Sequence, residues 1–102
     1  MGLSRYNFHQ KLVNILGSSN VYFQPPISLK LSYPCIIYKL QDIDEKFADG
    51  LLYMHKRRYI ITIIDPNPDS LIPDRLGKMP LTTFDRYYPA DNLNHFVYLT
   101  YF

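Results

Sequence analysis

Cys35 is the chain's one thiol, and His9, His55 and His95 are its three imidazoles. Nucleophilic catalysis needs a nucleophile, a base and an orienting group in contact. Cys35 heads the apolar run Cys35-Ile36-Ile37-Tyr38, where a cysteine acts as a small hydrophobe. A single cysteine excludes an internal disulfide framework and a cysteine-built zinc site. The histidines lie far apart, and no H-E-x-x-H pattern occurs. The acids Asp42-x-Asp44-Glu45, followed by Asp49-Gly50, lack the ligand spacing and terminal bidentate Glu of an EF-hand. They read as a solvated acidic loop. Asp85 and Asp91 could form an acid–base pair in principle. Pairing of Asp85 with Arg86 or Arg58, and a turn at Asp91-Asn92, account for them more simply. The glycines Gly2, Gly17, Gly50 and Gly77 are scattered, so there is neither a P-loop nor a dinucleotide fingerprint. The expectation is a protein that is not an enzyme, with no catalytic residues, no metal and no cofactor.

His55-Lys56-Arg57-Arg58 is the basic cluster. In a strand, Lys56 and Arg58 share one face and Arg57 takes the other. Lys plus Arg is 11 and Asp plus Glu is 9, a net charge of +2. That balance does not by itself argue for a nucleic-acid binder. The cluster reads as a charged hairpin end that prevents edge pairing, unless an oligomer repeats it around a shared axis and turns it toward phosphates. Ten Tyr and six Phe stand without a Trp. Tyr joins an apolar ring to a polar tip, which suits both half-exposed strands and surfaces buried against a partner.

The elements that must carry these residues follow from pattern. A chain of 102 residues is one domain, 1–102, and 47% apolar content argues against disorder. The apolar runs fall far short of the ~20 residues a membrane span needs, and the first residues contain no signal-peptide h-region. The expectation is a small soluble domain made in the cytosol. Residues 1–16 predict a helix, capped by Ser4 and carrying Tyr6 or Phe8, Leu12, Ile15 and Leu16, with Gly17 just past its end. Residues 21–34 predict an edge strand or a long extended arm, because Pro25-Pro26 forces extended backbone and Ile27, Leu29 and Leu31 alternate with polar residues. Strands are predicted at 35–40, 51–54, 58–64, 82–88 and 95–102, with a polar loop over 41–50 ending in an Asp-Gly turn. The run at 58–64 reads as central, with both faces covered. A short helix near 70–78, capped by Asp69 or Ser70, carries Pro73 in its first turn. The connector at 89–94 is rich in turn formers. The fold class is α+β: a single, largely antiparallel (mixed) sheet with an N-terminal helix and a second short helix packed on one face.

One stretch is more distinctive than the rest. The strand Arg58–Ile64 ends in Asp65-Pro66-Asn67-Pro68-Asp69-Ser70. Phe84-Asp85-Arg86-Tyr87-Tyr88 follows, then Asp91-Asn92-Leu93-Asn94-His95 and a closing aromatic strand. Over residues 33–102 this series resembles the tail terminator (tail completion) proteins of long-tailed bacteriophages. The resemblance implies a hexameric ring seated on the last ring of tail-tube protein, which stops tube growth and docks to the neck connector. DNA would pass through its lumen without sequence-specific binding. It implies a virion protein at the tail–neck junction, assembled in the host's bacterial cytoplasm, with no membrane partner. Tyr22, Phe23, Ile27, Leu29, Ile43 and Phe47 would then be candidates for the subunit or tube interface. Lys56 and Arg57 would face the lumen. Asp85, Arg86, Asp91, Asn92 and His95 would form a polar network holding the last two strands and their connector. A neck or head-closure protein is the alternative. A small enzyme, or a single-stranded nucleic-acid binder using Lys56, Arg57 and tyrosines for stacking, is the different-class alternative.

Overall fold

A computed structural model describes the backbone of residues 2–102, and all side chains except those of residues 1–4 and 52–55. The cap expected of Ser4, the expected strand side chains at Leu52, Tyr53 and Met54, and the side chain of His55 lie outside the described residues. The element order is α1 (Gly2–Leu16), β1 (Val21–Phe23), β2 (Cys35–Ala48), β3 (Leu51–Asp65), α2 (Ile72–Leu76), β4 (Thr82–Ala90) and β5 (Leu93–Tyr101). One five-stranded mixed sheet has the order β1-β2-β3-β5-β4. β1 runs parallel to β2, and the other pairs are antiparallel. The α+β class, the N-terminal helix and the short second helix are as the sequence predicts.

Helix α1 lays Phe8, Leu12 and Leu16, spaced by four, onto the sheet. Gly17 takes φ +84°, and its N–H donates to the Val13 carbonyl at 2.8 Å, ending the helix. The core lies between the helices and one sheet face. That face presents Val21 from β1, Ile36 and Tyr38 from β2, Tyr59, Ile61 and Ile63 from β3, and Tyr98 from β5. Phe8 stacks on Tyr59 at 4.6 Å, meets Tyr38 edge-on at 5.2 Å and lies 5.0 Å from Phe102. In α2, Pro73 sits in the first turn, and the Ser70 hydroxyl accepts the Ile72 N–H at 3.2 Å. The Tyr98 hydroxyl donates to the Pro73 carbonyl at 3.2 Å, fastening α2 to the sheet.

Four expectations change. Residues 27–32 are not an extended alternating segment: β1 stops at Phe23, Gln24 turns with φ 45°, and Ile27 stands fully exposed. Pro25-Pro26 withholds two donors, so no ladder continues there. The loop expected over 41–50 is strand up to Ala48, and the separate strands at 51–54 and 58–64 are one strand, β3. Cross-strand pairing overrides the low strand propensity of Asp and Lys. The connector at 89–94 shrinks to Asp91-Asn92, with φ 54° and 61°. Asp49-Gly50 likewise has φ 54° and 77°. Positive φ at both central residues is the two-residue turn whose twist matches antiparallel strands. Finally, β3 is only partly covered on its helix-free face: Ile64 is buried there, but Ile60 and Thr62 stay half-exposed.

Candidate functional site

The most distinctive feature is an arm. β1 stops opposite Tyr38, and β5 stops opposite Arg58. Beyond those points β2 and β3 run on alone as a two-stranded ribbon to the Asp49-Gly50 turn. The molecule measures 52 × 24 × 23 Å. At ~3.3 Å per residue the ribbon from 41 to 48 contributes roughly half the long axis. Asp42 lies opposite Arg58, Asp44 opposite Lys56, and Ile43 opposite Arg57. Opposite charges across the ladder favour this register over a slipped one. A bulge at Gln41 turns the ribbon where it leaves the sheet. Phe47 is 62% exposed and Leu51 71%, with Ile43 also exposed. Among the described residues nothing in the rest of the fold covers these side chains.

Strand β4 forms the second exposed feature. It is an edge strand carrying Phe84, Tyr87 and Tyr88 toward solvent. A bulge between Phe84 and Arg86 and Pro89 interrupt its free edge, two devices that discourage indiscriminate strand addition. On the helix-free face, Arg86 and Tyr88 overhang a trough of about 250 Å³ floored by Ile37, Ile60, Thr62 and Val97. Tyr88 stacks flat on His95, 4.6 Å between ring centres. Among the described residues His95 Nδ1 is buried there without a hydrogen-bond partner.

The six residues expected at an interface divide. Ile27, Leu29, Ile43 and Phe47 are exposed, Tyr22 is half-buried, and Phe23 packs 5.0 Å from Tyr38 with the Arg5 guanidinium 4.4 Å from the centre of its own ring. Phe23 therefore serves the fold itself. Lys56 is exposed and Arg57 half-buried, both on β3 in the arm. The expected polar network is not one network. Asp85 and Arg86 pair at 3.5 Å on the surface, Asp91-Asn92 form the β4–β5 turn, and His95 lies beneath Tyr88. The residue that ties this end together is Asn94, which sequence reading passed over. Its Oδ1 accepts the Tyr87 hydroxyl at 2.6 Å, and its Nδ2 donates to the Asp65 and Pro66 carbonyls at 3.0 and 3.2 Å. Its place beside Asp91-Asn92 pointed to turn chemistry, which hid this role.

His9 Nδ1 and the Tyr38 hydroxyl share a 2.7 Å hydrogen bond that fastens α1 to β2. They line a cavity of about 220 Å³ with Arg5, Tyr6 and Gln10. Burial, then the Arg5 charge, holds the His9 imidazole below its usual pKa; burial raises the Tyr38 phenol. Cys35 is fully buried and its thiol is pushed up to about 11, which makes it a poor thiolate at neutral pH. Among the described residues no three His, Cys, Asp or Glu side chains converge to hold a metal ion. No described helix is long and apolar enough to cross a membrane. No family model, curated protein or solved structure matches the chain.

Proposed function

We propose that the chain is a non-enzymatic structural subunit of a tailed-phage virion, a tail terminator. In this reading roughly six copies close into a ring on the end of the tail tube. The ring stops tube growth, offers the docking surface for the neck connector, and lets DNA pass through a lumen lined by Lys56 and Arg57. The observation that carries the reading is the arm: a two-stranded ribbon with Ile43, Phe47 and Leu51 uncovered by their own chain. Exposed apolar side chains at such a density mark a surface meant for a partner. A closed ring needs two unlike sticky surfaces per subunit, and the arm supplies one of them.

The test is to mix the purified protein with cognate tail tubes and image the product. Density capping one tube end, with tube length fixed afterwards, is the expected result. Bare tube ends, with the protein on the portal–connector complex, would assign it to the neck as a head-closure protein. Binding to neither would overturn the virion reading.

A further inference from the structure

Two surfaces of this chain are opposite in charge and alike in having an apolar centre. Between α1 and α2 runs a groove of about 340 Å³. Ile15, Met79 and Pro80 form its apolar part, and Lys11, Arg75 and Lys78 surround it. The three cations are exposed, and among the described residues none closes an ion pair. Asp74 is the one acid on α2, and its charge acts on the Tyr98 hydroxyl. The second surface is the β2 edge of the arm, Asp42-Ile43-Asp44-Glu45-Lys46-Phe47-Ala48-Asp49, with four acids against one lysine. The bases Lys56, Arg57 and Arg58 lie on β3, about 4.8 Å further across the ribbon. Neither Asp42 nor Asp44 closes an ion pair with the base opposite it. A partner approaching the β2 edge therefore meets acid first, with Phe47 among it.

We propose that the β2 edge of the arm in one copy seats in the α1–α2 groove of the next copy. Phe47 covers Ile15, Met79 and Pro80, while Asp44, on the opposite ribbon face, and Asp49, at the turn, face the rim cations Lys11, Arg75 and Lys78. An aromatic anchor in an apolar depression with charges at the rim is how compact interfaces are built. The contact is between copies, because the arm continues the sheet outward and cannot bend back without breaking the β2–β3 ladder. It is heterologous, so repetition builds a ring or a filament rather than a two-fold dimer. This assignment rests on the ring reading given above, and supplies the surfaces that the ring would use.

The decisive variants move charge without unpairing the arm. D44K/K56D exchanges one cross-strand pair, which keeps the ribbon's own complementarity. K11E/R75E/K78E reverses the groove on exposed positions. Circular dichroism confirms folding of each. Sedimentation at high protein concentration should show each variant self-associating about tenfold or more weakly than the original chain. An equimolar mixture should associate more tightly than either variant alone, because the unchanged arm of the groove variant meets the unchanged groove of the arm variant. Carbodiimide coupling of mixed 14N- and 15N-labelled protein should join Lys11 or Lys78 of one copy to Asp42, Asp44 or Asp49 of another. Unchanged self-association in the groove variant, or no such intercopy link at the highest concentration reached, would overturn the contact. A chain that shows the contact and leaves tube ends bare retains this inference and loses the terminator reading; one that caps tubes without the link does the reverse.

Discussion

Asn94 shows how one side chain can hold a corner of the fold. Its amide is buried and satisfies Tyr87, Asp65 and Pro66 at once. Removing it leaves the buried Asp65 carbonyl without that donor, at ~1–3 kcal/mol for an unsatisfied buried group, while the exposed Tyr87 and Pro66 can turn to water. Asn94→Ala should therefore lose about 1–3 kcal/mol in urea unfolding, while Asn92→Gly, at a positive-φ turn position, should lose little. Equal losses would place the stabilisation in the turn instead. Cys35 makes a pH prediction. Burial raises its thiol from the ordinary 9.0 to about 11. Between those values the unfolded chain has released the proton and the folded chain has kept it, so stability falls as pH rises. Cys35→Ala should flatten that fall between pH 9 and 11, measured as unfolding midpoints. Some slope remains above pH 10, because burial also raises Tyr38 and Tyr98. His9 acts at the other end. Its lowered pKa means that stability falls as pH drops below 6.5, where the unfolded chain takes up the proton first.

The arm and the body are separable elements. The buried cluster runs from Phe8 to Tyr98 and, among the described residues, includes none between 39 and 58. Replacing residues 44–56 with Asn-Gly would join the directly paired Ile43 and Arg57 by a two-residue turn. The shortened chain should keep its circular dichroism spectrum and melt within a few degrees of the full chain, while losing self-association and tube binding. Collapse of the body would show that the ribbon supports the core. Arg57 is kept because its carbonyl accepts the Phe102 N–H at 2.9 Å, and Arg58 because its guanidinium lies 5.8 Å from the Tyr101 ring centre.

At the scale of the molecule, the fold is a body with a projection, and its local stabilities should differ accordingly. In the body, β3 is flanked by β2 and β5 and pressed by α1. In the arm, each strand has a single neighbour and open water on its other edge. Local opening is cheapest where buried apolar contacts are fewest. Hydrogen exchange should therefore protect residues 59–64 and 95–100 most strongly and residues 42–50 least, and assembly should raise protection in the arm. Uniform protection along β2 would contradict the division.

Much of the body could be read directly from the chain. Phe8, Leu12 and Leu16 repeat at the helical period, Gly17 permits the left-handed stop, and Tyr59-Ile60-Ile61-Thr62-Ile63-Ile64 has few conformations but a strand available to it. Asp49-Gly50 marked its turn for the same local reason. These signals are local, and a local pattern is carried by the sequence itself. Tertiary structure alone decided the remainder. Asp42–Ala48 is strand because β3 lies beside it and pairs with it, a fact invisible in a run of Asp, Glu and Lys. Ile27 and Leu29 alternate with polar residues as a strand would, yet Gln24 turns and no neighbour offers them an edge. Asn94 gains its role from carbonyls 28 and 29 residues away. The acids of the β2 edge and the cations of the groove, lying far apart in the chain, are set on separate faces only by the fold.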